Sequence, residues 1–320
     1  MVYLNHSDFA NCMNCGTFLC LSSGVHGIRG GEKSRTYFKA EYEMDETLRI
    51  LKGRALPTER LFNPQSSYTQ VRRPVVDWMC ELCEVLKFQE ETTHHAICLF
   101  DQFFSQQQNA VEVKNCFNGH SFAQIVQLIA STCILVSAKT LEKTYPAVDK
   151  LISIIQSPFL YDHFIHMEQK ILETLDWNMN FTTTYDFVLH FLCQGILFSA
   201  DQVMNKDRYI RANSKAAAYA RKYCLFFADL CQQEQSFLQY DSLTLACGIV
   251  MAARKMIRIK EKWSMELEAM SAGLISLSRA KRCMHHIFEF YEETFPDHNL
   301  KATTDFSLKN SKASPVQQSS

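Results

Sequence analysis

From residue 40 to residue 295 the apolar positions recur at three- and four-residue spacing almost without a break, the mark of helices that lay one face on a core. The first block reads as a lead helix (Ala40 to Leu51), an extended stretch (Pro57 to Thr69) and five helices. These fall near Arg72 to Phe88, Thr92 to Gln107, Phe122 to Lys139, Ala147 to Ile155 and Asp162 to Leu175. The second block repeats the rhythm near Thr184 to Phe198, Ser214 to Leu230, Ser242 to Arg258, Met265 to Met270 and Ser276 to Phe295. In both blocks the third helix is the most uniformly apolar, as a central helix wrapped by four others must be. The alternation expected of strands is hard to find, so the predicted fold class is all-α: two tandem five-helix domains preceded by an N-terminal helix. The domains span 39–180, lead helix included, and 181–296. Residues 1–38 lack a sustained period and read as a disordered arm, and the polar stretch 297–320 reads as a disordered tail.

Composition narrows the function. The 320 residues are 47% hydrophobic and 21% charged, ordinary values for a folded chain with enough length for two cores. The formal net charge is −1 and no lysine/arginine block stands out, which argues against a nucleic-acid binder that works by neutralising phosphates. The thirteen cysteines are scattered through apolar helical stretches, as at Cys80, Cys83, Cys133 and Cys247, and read as reduced core thiols of a cytosolic or nuclear protein. The apolar runs fall short of the ~20 residues of a membrane span, and no basic segment leads into an apolar one at the start, so neither secretion nor membrane crossing is expected.

Candidate chemistry is sparse. Cys12, Cys15, Cys20 and His26 open like a metal site but lack a second regular pair, and His163, His166 and Glu168 read as ordinary polar positions on a helix, so no metal is expected. There is no glycine-rich phosphate loop, no Gly-x-Ser-x-Gly and no His-Glu-x-x-His, hence no predicted catalytic residue and no cofactor. Two charges are out of place instead. Lys139 closes the apolar run Leu128 to Ala138, and Glu168 opens the next amphipathic stretch. A charge at the edge of a buried helix is costly to leave unpaired, so it caps something or faces a partner.

Val71 to Gln107, VRRPVVDWMCELCEVLKFQEETTHHAICLFDQFFSQ, resembles the opening of the cyclin box, whose members read Met-Arg-x-x-Leu-Val-Asp-Trp; Arg72, Asp77 and Trp78 fall on that pattern. Five positions that recur across cyclins can be placed in order at Arg72, Asp101, Leu128, Lys139 and Glu168. The segment His166 to Asn180, HMEQKILETLDWNMN, is similar to the Met-Glu-x-x-x-Leu-x-x-Leu-x-Trp signature that ends the first box. The resemblance runs from Ala40 to Phe295 and is weaker in the second box, where Phe237-Leu238-x-Tyr240 resembles the start of that box's central helix. The Val71 to Trp78 motif is closer to A/B-type mitotic members, and the Trp263 region is similar to J-type cyclins.

The resemblance implies a non-catalytic regulatory subunit that binds and activates a cyclin-dependent protein kinase, controls cell-cycle progression and works in the nucleus and cytoplasm. Arg72 and Asp101 would form a structural buried ion pair. Lys139 and Glu168 would hydrogen-bond the kinase beside its mobile regulatory helix, with Leu172, Trp177 and Met179 on the same face. Binding would favour the kinase state in which the glutamate of that helix pairs with the lysine that positions ATP phosphates. Val71, Val75, Trp78, Glu81 and Gln127 would form a groove for Arg-x-Leu peptides of substrates or inhibitors. Pro74 departs from the aliphatic residue usual in that groove and reads as a proline in the first turn of its helix. Thr140 stands where relatives carry an aromatic that packs on the kinase, so partner choice is expected to differ there. The rival reading keeps the fold and drops the kinase: a scaffold or a transcription-associated cyclin-fold protein. Neither direct nucleic-acid nor membrane contact is expected.

Overall fold

The computed structural model describes residues 46–57, 67–105, 117, 119–271 and 273–296. The arm 1–38, the tail 297–320 and most of the stretch Pro57 to Thr69 lie outside the described residues, as do Cys12, Cys15, Cys20 and His26.

Each repeat is wound about one buried helix. In the first, α1 (residues 46–54) is followed by α2 (Ser67–Leu86), α3 (Glu90–Ser105), α4 (Phe122–Leu141), α5 (Val148–Ile155) and α6 (Tyr161–Thr174). Ser121 starts α4 with a capping box: the Gln124 N–H donates to Ser121 Oγ at 3.3 Å, and the Ser121 N–H donates to Gln124 Oε1 at 2.8 Å. Between Ile125 and Ala138 every α4 residue except Gln127 is buried. The helix is long and apolar enough to cross a membrane, but that face is taken up by Val76, Met79, Phe100, Phe103, Phe164 and Met167 of its neighbours.

The second repeat holds α7 (Thr184–Gln194), α8 (Ser214–Gln233), α9 (Ser242–Met256), α10 (Met265–Ser271) and α11 (Leu277–Thr294). Here α9 is the central helix, capped by Asp241 and buried without interruption from Ser242 to Arg254. Gly248 lets it meet α11 closely: a Cβ there would lie 2.6 Å from Cys283 Sγ.

The structure departs from the expected elements in four places. Helix α2 begins at Ser67, five residues before Arg72, so Pro74 is inside the helix rather than in its first turn. Helix α7 stops at Gln194, where Gly195 adopts φ 98°, four residues short of the expected Phe198. Beyond it stands a hairpin, β1 (Gln202–Asn205) with β2 (Arg208–Arg211), in a chain expected to be all helix. Two four-residue strands are too short to show a period of two. The motif Phe237 to Tyr240 lies in the turn that precedes α9, a short 3-10 helix over Gln235–Gln239, and not in α9 itself.

The lead helix belongs to the first block by sequence and to the second by packing. Leu48 is buried in the second core, Lys52 Nζ donates to the Leu274 carbonyl at 2.6 Å, and the Thr182 N–H donates to the Arg54 carbonyl at 3.2 Å. The repeats also meet directly. Arg72 Nη1 on α2 donates to the Gln233 carbonyl of α8 at 3.2 Å, and His94 Nε2 on α3 lies 3.1 Å from Asp229 Oδ1.

Candidate functional site

Lys139 and Glu168 answer each other. Lys139 Nζ donates to Glu168 Oε1 at 2.6 Å and to Oε2 at 2.7 Å, joining the last turn of α4 to the middle of α6. The pair is not buried: the side chains keep 33% and 17% exposure. An exposed pair of this kind contributes about 0–1 kcal/mol, so it is weakly held. The ammonium has three donors and spends two on Glu168.

Helix α6 builds the surface beside this pair. Phe164, Met167 and Ile171 lie on its buried face. Tyr161, Ile165, Glu168 and Leu172, spaced i, i+4, i+7 and i+11, form a stripe along its flank, with Tyr161 and Ile165 exposed and Leu172 half-buried. The helix ends in a Schellman motif: the Trp177 N–H donates to the Leu172 carbonyl at 2.9 Å and the Asp176 N–H to the Glu173 carbonyl at 3.1 Å. That motif sets Trp177 directly after the stripe, with Asp176 at φ 49° and Trp177 at φ 61°, and leaves the indole 64% exposed. Met179 is half-buried, and its carbonyl accepts from His95.

Thr140 is exposed and turns its hydroxyl back to the Val136 carbonyl at 2.9 Å, so it presents little to a partner. Leu141 and Tyr145, just beyond it, are exposed instead, Tyr145 by 50%. Glu142, which sequence reading passed over, holds this corner: its Oε1 accepts from the Gln89 N–H and from Thr92 Oγ1, both at 2.7 Å, capping the start of α3 with a negative charge.

Arg72 and Asp101 form the expected buried pair, Nε to Oδ1 at 2.8 Å and Nη2 to Oδ2 at 2.9 Å. Tyr68 adds its hydroxyl as a donor to Asp101. Burial opposes the charge on Arg72, yet Asp101 and Tyr68 outweigh it and hold the guanidinium above its ordinary value. The proposed peptide groove is partly committed. Val71, Val75 and Trp78 share one face of α2 at i, i+4 and i+7, but all are half-buried, and Val75 and Trp78 pack on the first core. Glu81 is exposed, and Gln127 Nε2 reaches the Ile155 carbonyl at 3.4 Å.

Sequence reading missed two groups. Arg254, fully buried, uses all five donors: Nη1 on Ile196 O and Asp201 Oδ2, Nη2 on Asp201 Oδ1 and Glu261 O, and Nε on Glu261 O. The adjacent histidines of α3 face different ways. His95 stacks on Phe181 and bonds Ser137 and the Met179 carbonyl; His94 stacks on Tyr185 and reaches Asp229. Because a carbonyl only accepts, Nε2 of His95 carries the proton and Nδ1 accepts from the Ser137 hydroxyl. Among the described residues no three of His, Cys, Asp or Glu are grouped to hold a metal, and His163 Nδ1 is occupied in accepting from the Leu160 N–H.

Two helical repeats, each around one buried helix and joined through Arg72 and His94, define a tandem helical-repeat protein. Comparison with known proteins agrees. Residues 43–180 match the cyclin N-terminal domain and residues 182–317 the cyclin C-terminal domain. Cyclin-B2-4 of Arabidopsis thaliana is 26% identical over 72% of this chain and 48% of its own length, so the match takes in about half of that relative. G1/S-specific cyclin-D1 of Bos taurus is 28% identical over 68% of this chain and 67% of its own length. Among solved structures, a viral cyclin from herpesvirus saimiri superposes with TM-score 0.51 at 14% identity, covering 80% of this chain and 98% of that one. The yeast RNA polymerase II CTD kinase CTDK-1 complex contains a chain that superposes with TM-score 0.50 at 14% identity, covering 78% and 73%. The chain belongs to the cyclin family, whose members are non-catalytic regulatory subunits of kinases.

Proposed function

We propose that this chain binds a cyclin-dependent protein kinase through the face that carries Lys139, Glu168, Leu172 and Trp177, and biases that kinase toward its active arrangement. The observation that carries the reading is the stripe Tyr161, Ile165, Glu168 and Leu172 running into the exposed Trp177, apolar surface around a weakly held ion pair. Apolar side chains supply area, and the pair supplies a charge-assisted donor and acceptor for a partner's backbone. Tyr145 and Leu141 take over the apolar contact that Thr140 does not offer. The resemblance of the fold to chains from kinase complexes, CTDK-1 among them, supports a kinase as the partner. The size of the activating effect is set by the difference in affinity for the two kinase states. Control of cell-cycle progression, and docking of Arg-x-Leu substrates on Val71, Val75, Trp78 and Glu81, extend the same reading.

The test exchanges the charges. Lys139→Glu with Glu168→Lys keeps an ion pair and the fold but reverses what is presented. Melting is expected to match the parent while kinase capture and kinase activity fall at least about tenfold. Equal capture by the exchanged variant, with the parent binding a kinase, would sink this assignment of the face.

A further inference from the structure

The hairpin and the stretch after α9 form one ribbon. Val203 bridges Ile259 in antiparallel sense, flanked by the Met204 N–H on the Arg258 carbonyl at 3.1 Å and the Lys260 N–H on the Gln202 carbonyl at 2.9 Å. Residues 258–260 thus run beside β1, joined to it by a single antiparallel bridge. Alternation sends Val203, Ile210 and Ile259 to one face, and Val203 and Ile259 are fully buried. The opposite face takes Gln202, Met204, Tyr209, Arg211, Arg258 and Lys260. Three of these six are cations and none is acidic. Tyr209 is 46% exposed, and Lys260 Nζ lies 5.7 Å over its ring, which fixes both on the same side. Exposed Arg208 and Lys206 extend the charge to the hairpin tip, against Asp207 alone. Nearby, the Lys262 ammonium is held below its ordinary value by burial and then by Arg254 and Lys255.

The outer strand has a second property. The two-residue turn Lys206-Asp207 makes Asn205–Arg208 and Val203–Ile210 the hydrogen-bonded pairs, in step with the Ala212 N–H on the Asp201 carbonyl at 2.9 Å. The backbone N–H and C=O groups of Tyr209 and Arg211 therefore point away from β1, and among the described residues no strand lies beyond β2. Cations on an edge strand deter neutral strands from pairing. They leave an acidic strand as the one kind that gains from doing so.

We infer that the outer edge of β2 is a docking site for an extended acidic peptide of a second protein, which pairs with the Tyr209 and Arg211 backbone and sets its carboxylates on the face of Arg211, while Arg208 adds its charge at the tip from the opposite face. Lys260 and Arg258, both on the far side of β1, add to the field at longer range. The terminal stretches 1–38, with Asp8 and Glu32 against Arg29, Lys33 and Arg35, and 297–320, with Asp297 and Asp305 against Lys301, Lys309 and Lys312, are not acidic; the acidic run of Glu41, Glu43 and Asp45 leads straight into α1, whose Leu48 is committed to the second core. A nucleic acid meets the charge but has no peptide backbone for the edge. The inference stands apart from the kinase-binding face, since it uses none of its residues.

The experiment titrates the full chain into a short fluorescein-labelled peptide that alternates glutamate and valine and follows anisotropy. Saturable binding that weakens with salt is expected. The double variant Arg208→Glu, Arg211→Glu should lose at least about tenfold in affinity, Lys260→Glu about threefold, and methylation of alternate peptide nitrogens about tenfold. All these side chains are at the surface, so melting should match the parent and separate lost binding from lost fold. No binding by the parent chain, equal affinity in the folded double variant, or equal affinity for the N-methylated peptide would each overturn the inference. So would tighter binding of a single-stranded oligonucleotide than of the peptide at the same salt.

Discussion

At the scale of single residues, the two buried guanidinium groups are the most exacting features of the chain. Arg72 was legible because a family pattern supplied both it and Asp101. Arg254 was not, because a cation at the end of an apolar helix looks like an ordinary dipole charge, and its carboxylate lies 53 positions earlier in a loop. Removing that carboxylate strands the cation in the second core: Asp201→Ala should cost about 3–5 kcal/mol in urea unfolding. His95 was equally hidden, since nothing local distinguishes it from His94. Burial drives its ionisation below the ordinary histidine value, with the Met179 carbonyl and Asp186 pulling the other way. The folded state therefore takes up a proton later than the unfolded chain as pH falls. Stability is full above about pH 6.5 and is lost below it, toward the folded value. His190 and His286 are shifted downward by burial too. The melting temperature should drop between pH ~7 and ~5.5, and His95→Gln should make that drop shallower.

At the scale of elements, the long helices were legible to within a few residues because each buries a continuous apolar face, while the short pieces were not. The hairpin gives four residues a strand, and its partner stretch 258–260 is remote in sequence, so the ribbon exists only in tertiary structure. Proline misled in another way. Pro74 marks a first turn in many helices, but here Ser67 to Gln70 extend α2 ahead of it, with Tyr68 buried in the first core, and the helix tolerates the lost backbone donor. Gly248 reads as a weak point in α9, since glycine costs a helix about 1 kcal/mol relative to alanine. The close approach of Cys283 reverses that expectation. Gly248→Ala should destabilise by about 1–3 kcal/mol as α9 and α11 are pushed apart, a loss readable in the urea midpoint.

At the scale of the whole molecule, the chain ties its two repeats together through the first three helices of the first. Helix α1 crosses to the second core, while Arg72 and His94 reach α8. Blocks read along the sequence could not show this, because the lead helix sits next to the first repeat and carries no mark of its partner. Leu48→Ala should cost about 2–5 kcal/mol, and hydrogen exchange should rise in α9 and α11 more than in α4. The charge pair that singled out the α4–α6 face was legible as two misplaced residues, though the sequence pointed outward and the structure first joins them to each other. The end of α6 gives that face a further quality. Asp176 and Trp177 both occupy left-handed backbone, at a cost of roughly 1–2 kcal/mol each, and the Schellman bonds to Glu173 and Leu172 keep them there. That cost falls on folding. On the proposed reading of this face, a partner would meet an indole whose backbone is already set, and would be spared the ~1–2 kcal/mol per residue that freezing a mobile loop demands at the moment of encounter.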